Sequence, residues 1–433
     1  MTISEEMKII KYPEKRQWDA LLERPAEDPD QLNESVTAIL DDVRKNGDYA
    51  VRKYTRALDG ADLDGLEIPE KAIIEAESLL DASLKQAIQQ AAGNIERFHE
   101  AQKGKDVRVE VAPGMNCWQK SVPIDSIGIY VPGGTAPLFS SVLMMAVPAR
   151  VAGCKNVVLT TPPDAEGNID PAILYSAALA GVDKIYRVGG AQAIAAMAYG
   201  TETISRVDKI FGPGNQFVTR AKQMVSMEGV AIDMPAGPSE LLVVADDTTP
   251  PDYIAADLLS QAEHGPDSQV LLLSTDERLI NQTREQVEEL IPSLPRREVA
   301  RKALESCKLI LLKTREEIME MVNAYAPEHL LLAVKDAEEL AGMVRNAGSV
   351  FVGSFTPESL GDYSSGTNHV LPTNGTAKAY SGVNLDSFTK KITFQQANRK
   401  GLEAMGEITM KMADAEGLEA HRKAVEIRLN TKI

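Results

Sequence analysis

The chain has 433 residues, 44% of them apolar and 25% charged, the balance of a globular protein with a sizeable core. A formal net charge of −17 repels phosphate backbones and anionic lipid surfaces, so neither nucleic acid nor a membrane is expected as a partner. Cys117, Cys154 and Cys307 lie far apart with no C-x-x-C, which argues against a disulfide framework or a thiolate zinc site. Met1 to Trp18 offers no apolar h-region and no run nears the ~20 residues of a membrane span, so a cytoplasmic location is expected.

Helical periodicity dominates from about Pro29 to His99, in amphipathic stretches around Leu32–Tyr54 and Pro69–Phe98. Val107–Pro123 reads as a short β segment turning at Pro113-Gly114. Four β-rich runs follow, at Ser126–Tyr130, Asn156–Leu159, Lys184–Val188 and Lys209–Phe211, each with a turn and an apolar helix behind it. The alternation restarts after Gly237 with Leu241–Ala245, Gln269–Leu273, Leu309–Leu312, Leu330–Val334 and Ser349–Val352. Strands alternating with helices predict βαβ units and parallel sheets, in two α/β domains with a boundary near Ala236. From Asp386 onward strand signals stop and helical residues form a small appendage.

Three turns leave strands of the first series: Tyr130-Val131-Pro132-Gly133-Gly134, Gly189-Gly190-Ala191-Gln192 and Phe211-Gly212-Pro213-Gly214-Asn215. Glycine lets backbone approach a ligand, and the helix N-termini that follow favour phosphate. Tight βα turns use glycine in any case, and no G-x-G-x-x-G occurs, so the turns alone do not specify a dinucleotide.

Of five histidines, four lie in the C-terminal half. His99, on an early amphipathic helix, reads as a surface or packing residue. Gln261 and His264 share a helix face at i,i+3, a spacing that suits one ion but is more often a cap or surface pair. Glu328-His329 joins a carboxylate to an imidazole, apt for a general base and helper, and both can serve one site only if they lie in a turn. Gly361-Asp362-Tyr363 and Gly366-Thr367-Asn368-His369 form a polar, glycine-rich loop, where sites usually live. His421, beside the stripe of Leu418, Val425 and Leu429, resembles a packed histidine. Gln261, His264, Asp362 and His421 together would make a sulfur-free site compatible with zinc, though no spacing rule brings them together.

These motifs, with Ala236-Gly237-Pro238-Ser239-Glu240, Gln261-Ala262-Glu263-His264-Gly265, Pro327-Glu328-His329-Leu330, Asn368-His369-Val370-Leu371-Pro372-Thr373 and Ala415-Glu416-Gly417-Leu418-Glu419-Ala420-His421, resemble the histidinol dehydrogenase family over essentially the whole chain. The resemblance implies oxidation of L-histidinol through the aldehyde to L-histidine by two NAD, in a homodimer. It implies zinc on Gln261, His264, Asp362 and the partner's copy of His421, and NAD contacts at Tyr130, Gln192 and Asn215. Ser239, His369 and Glu416, with the metal ligands and His329, would contact substrate; His329 would be the base and Glu328 would activate water. The implied fold is two incomplete Rossmann-like domains with parallel sheets, one formed by 26–125 with 237–385 and the other by 126–236. Segments 1–25 and 386–433 would be exchanged in the dimer. A zinc hydrolase using Glu328 on water, a dehydrogenase for another small alcohol, and a non-catalytic binding protein are the alternatives; NAD-independent turnover would mark the hydrolase.

Overall fold

The structure, a computed structural model, describes residues 7–24, 29–133, 136–234 and 237–431. Gly134 of the first turn, the Ala236 boundary and the outermost part of the 1–25 segment therefore lie outside the described residues.

Two parallel sheets carry the architecture. The larger has six strands in the order β1 (Lys8–Lys11), β11 (Lys308–Leu311), β10 (Gln269–Ser274), β9 (Glu240–Ala245), β12 (His329–Ala333) and β13 (Ser349–Val352). Its central strands are continuous apolar runs, such as Leu241-Leu242-Val243-Val244 and Leu330-Leu331-Leu332, because helices cover both faces. The second sheet has five strands in the order β6 (Lys184–Arg187), β5 (Asn156–Thr161), β4 (Ser126–Tyr130), β7 (Lys209–Phe211) and β8 (Ala231–Ile232). It too is sandwiched, with the helix Phe139–Ala152 on one face and Gly190–Tyr199 on the other. The expected mixed α/β class with parallel sheets is the one observed.

Two expectations need correction. The helices of the N-terminal region pack on the five-stranded sheet, not on the sheet of 237–385. Val36, Leu40, Val43 and Val51 share a core with Tyr130, Val158 and Ile194, while Ile88, Ala92 and Ile95 share one with Ile127 and Leu159. An amphipathic stripe announces that a face is buried without naming the sheet that buries it.

Within the single chain, the described part of 1–25 packs on the six-stranded sheet. Lys8–Lys11 pairs in register with Lys308–Leu311, and Met7 and Trp18 lie in cores of the six-stranded sheet.

Strand structure also continues beyond Asp386. β14 (Thr389–Ala397) pairs antiparallel with β3 (Met115–Pro123), which pairs with β2 (Val107–Ala112) across the turn expected at Pro113-Gly114. The helices Arg399–Ala415 and Glu419–Asn430 pack on each other beyond this small sheet.

Candidate active site

The site is built at the amino-terminal edge of the six-stranded sheet, where β9 and β12 begin. The helix Arg315–Tyr325 ends on Ala326, which adopts a left-handed φ of 54°, and Pro327 then prevents helix from resuming. Glu328 follows just outside β12 and His329 is its first residue, so both side chains fall on the same side. The turn required for Glu328 and His329 to act together is present: Glu328 Oε2 lies 3.7 Å from His329 Nδ1.

One residue, Glu240, holds both groups through its backbone. The Glu240 N–H donates to Glu328 Oε2 at 2.8 Å, and its carbonyl accepts from His329 Nδ1 at 3.2 Å. With Nδ1 as donor, Nε2 is the free basic nitrogen. It is buried without a hydrogen-bond partner and lies 3.8 Å from Asp362 Oδ1. Burial, with the nearby His264 and His369, pushes the His329 imidazole down to about 3, so the ring is neutral. Burial, reinforced by the Glu240 and Asp362 charges, holds the Glu328 carboxyl well above the usual carboxylate range. With His329 neutral, its close approach to Glu328 is not an ion pair.

The short helix Glu358–Tyr363 supplies two more carboxyls. Glu358 and Asp362 are four residues apart and so share a face. Asp362 is raised to about 6 by burial, and its Oδ2 lies 3.9 Å from His264 Nε2. Glu358, missed in the sequence, is 1% exposed, and its Oε1 sits 3.4 Å from His329 Nδ1 without a hydrogen-bond partner. The signal available was its i,i+4 spacing from Asp362. His329, Glu358 and Asp362 can bring ligand atoms within 4.8 Å of one another.

Gln261 ends the helix Pro251–Ala262 fully buried, with neither amide atom hydrogen-bonded. A buried amide normally finds partners, so this pair of orphaned atoms marks a place for a ligand. His264 lies in the turn that follows, its side chain 43% exposed. His369 Nδ1 donates to the Asp362 carbonyl at 2.9 Å and its Nε2 lies 3.2 Å from Ser141 Oγ, on the helix Phe139–Ala152 of the other sheet. Burial pushes its imidazole down to about 4, so it too is neutral. Ser239 directly precedes β9, and its carbonyl accepts from Gln269 N. Glu416 and His421 are not brought to this cluster: both are exposed on the C-terminal helical pair. His99, by contrast, is buried, its Nδ1 donating to the Ile95 carbonyl at 2.8 Å, as a packing residue should.

Tyr130, Gln192 and Asn215 converge elsewhere, in a cleft of about 1420 Å³ at the carboxyl ends of the five-stranded sheet. The Tyr130 hydroxyl accepts from Gly190 N at 3.2 Å, and burial pushes that phenol up to about 12. Gln192 is fully buried with both amide atoms unpartnered, and Asn215 caps the helix Gln216–Met227. Gly212 has φ 130°, and a Cβ there would lie 2.0 Å from the Tyr130 carbonyl oxygen, so only glycine fits.

A parallel-sheet enzyme with glycine turns opening on a large cleft, and a separate cluster of a neutral imidazole among buried carboxyls, has the construction of an α/β oxidoreductase. The sequence profile of the family described as histidinol dehydrogenase matches residues 22–429. The chain is 56% identical to the histidinol dehydrogenase of Bacteroides thetaiotaomicron over 98% of its own length and 99% of that protein. It is 50% identical to that of Pasteurella multocida, over 95% and 96%. The crystal structure of histidinol dehydrogenase from Elizabethkingia anophelis superposes with a TM-score of 0.96 at 52% identity, covering 98% of each chain. The chain thus belongs to the histidinol dehydrogenase family, oxidoreductases of histidine biosynthesis.

Proposed function

We propose that the chain catalyses the NAD-dependent, zinc-requiring, four-electron oxidation of L-histidinol to L-histidine through L-histidinaldehyde, as a cytoplasmic homodimer. The observation that carries this reading is His329: its Nδ1 donates to a backbone carbonyl, leaving a buried, unpartnered Nε2 to receive a proton. In the first step that nitrogen takes the hydroxyl proton of the alcohol as hydride leaves the same carbon. As water adds to the aldehyde it loses a proton to the ionised form of Glu328, and the aldehyde oxygen takes the first proton back from His329. His329 then takes a hydroxyl proton of the hydrate as the second hydride leaves. Tyr130, Gln192 and Asn215 would hold NAD in the cleft, where it would supply the hydride acceptor for each oxidation.

The donor set fits a metal: an orphaned buried amide at Gln261, the imidazole of His264 and the carboxyl of Asp362. The partner subunit's His421 would complete the set, and zinc bound there supplies a Lewis-acidic clamp for the substrate's nitrogens. Ser239, His369 and Glu416 would hold the remaining polar groups of the substrate. A hydrolase reading has no use for the large cleft lined by Tyr130, Gln192 and Asn215, and NAD-independent turnover would be needed to revive it.

Chelation tests the assignment. Asp362→Asn preserves shape but removes the only charged ligand, so it should lose bound zinc on dialysis and fall to a few per cent of activity or less. Full turnover of L-histidinol by chelated wild-type protein would refute the metal requirement. Because burial raises Asp362 to about 6, zinc must displace a proton below that pH. Affinity should therefore fall by roughly tenfold per pH unit below 6.

A further inference from the structure

We propose that Arg24 is a positioning residue for the acid–base pair, acting through Glu240. The proposal rests on the reading of Glu328 and His329 as that pair. Glu240 opens β9, and its peptide groups are the shared anchor: N–H to Glu328 at 2.8 Å, carbonyl to His329 at 3.2 Å. A terminal strand residue keeps such an orientation only if its own side chain is held. The Glu240 side chain is 1% exposed and is gripped from two directions. Arg24 Nε donates to Oε1 at 2.6 Å and Nη2 to Oε2 at 2.8 Å, a planar fork across both oxygens. Asn374 N donates to Oε1 at 2.7 Å.

The same guanidinium reaches the other half of the site. Its Nη2 donates to the Tyr325 carbonyl at 2.9 Å, and its carbon lies 4.0 Å from the centroid of the Tyr325 ring. Tyr325 is the last residue of the helix that leads through Ala326-Pro327 into Glu328 and His329. One side chain thus ties the start of β9 to the segment entering β12, the two pieces of chain that carry the pair and its anchor. Among the described residues Arg24 is the only ion-pair partner of the Glu240 carboxylate. Without Arg24 a buried carboxylate loses its counter-charge, and the cheapest relief is to swing toward solvent, turning the two peptide groups of Glu240 that anchor the catalytic pair. Displacement of a reacting group by about an ångström can cost on the order of a hundredfold in rate.

The test uses zinc-loaded, full-length enzyme with L-histidinol and NAD, comparing Arg24→Ala, Arg24→Lys, Glu240→Gln and the double variant Arg24→Ala/Glu240→Gln. Arg24→Ala should lower kcat by about tenfold or more with KM for L-histidinol within about threefold and zinc content unchanged. Millimolar guanidinium should restore part of kcat where matched sodium chloride does not. The double variant should be no slower than Arg24→Ala, because a neutral amide needs no counter-ion. Should Arg24→Ala fail to fold, Arg24→Lys keeps the charge without the fork, and a several-fold loss of kcat at wild-type KM is expected. Wild-type kcat in either folded Arg24 variant, equal rescue by sodium chloride, or additive losses in the double variant would overturn the proposal. His329→Ala, run alongside, separates the two readings. Full activity there would remove the acid–base assignment itself, whereas a dead His329→Ala beside Arg24 variants of normal kcat would remove only the role of Arg24.

Discussion

The two sheets present opposite ends to their ligand sites and use different chemistry there. At the amino edge of the six-stranded sheet, Glu328, Glu358 and Asp362 are shifted up and His329 is shifted down by burial, each toward its neutral form. At the carboxyl edge of the five-stranded sheet, the cleft is shaped by glycine turns, helix N-termini and the amide of Gln192. On the proposed function the first edge exchanges protons and the second cradles a large molecule without reacting with it. A damaged residue at the first should therefore cost rate, and one at the second should cost affinity.

The largest effect is expected from His329→Ala, which removes the proton acceptor of both oxidations. A fall in kcat of about a thousandfold is expected for L-histidinol, with NAD affinity by titration unchanged. Glu328→Gln should spare the alcohol step and slow oxidation of L-histidinaldehyde, because only the second step activates water. Since burial holds Glu328 above its ordinary range, its proton-accepting form grows as pH rises, and the aldehyde step of the wild type should accelerate from neutral toward alkaline pH. An aldehyde step that slows over that range would contradict the role of Glu328.

An intermediate effect concerns the groups missing from the first edge. His421 and Glu416 are exposed in the single chain, so the account needs them from a second subunit. When inactive His421→Ala and His329→Ala proteins exchange subunits, random mixing gives about half mixed dimers, each with one intact site. Activity should return to roughly a quarter of wild type. No recovery despite demonstrated exchange would return His421 to its own subunit.

The smallest effect should come from the second edge. Gly212→Ala places a methyl against the Tyr130 carbonyl in a turn whose N–H donates to Asp233 Oδ2 at 2.8 Å and whose carbonyl accepts from Lys222 Nζ at 2.7 Å. KM for NAD should rise on the order of tenfold while kcat at saturating NAD changes little. A loss confined to kcat would erase the distinction between the two edges.

Local patterning made much of this legible. The buried strands announce themselves as apolar runs, and Glu328-His329 is visible because the residues are adjacent. What escaped depends on distant partners. Thr389–Ala397 is largely exposed and becomes a strand only by pairing with Met115–Pro123, some 270 residues earlier. The i,i+4 pair Glu358 and Asp362 reads as an ordinary helix start until β12 places an imidazole beside it. Glu240 lies within the motif Ala236-Gly237-Pro238-Ser239-Glu240, yet its contacts to Glu328 and His329 run through its backbone, which sequence identity does not display. The zinc and subunit assignments came from family resemblance and not from spacing.

The central claim is that one site carries out both oxidations without releasing the aldehyde. Limiting L-histidinol should be incubated with excess NAD, zinc-loaded enzyme and an aldehyde trap such as semicarbazide, and NADH counted per substrate consumed. The account predicts two NADH and one L-histidine per L-histidinol, with no trapped aldehyde. One NADH with an equivalent of trapped L-histidinaldehyde would contradict it.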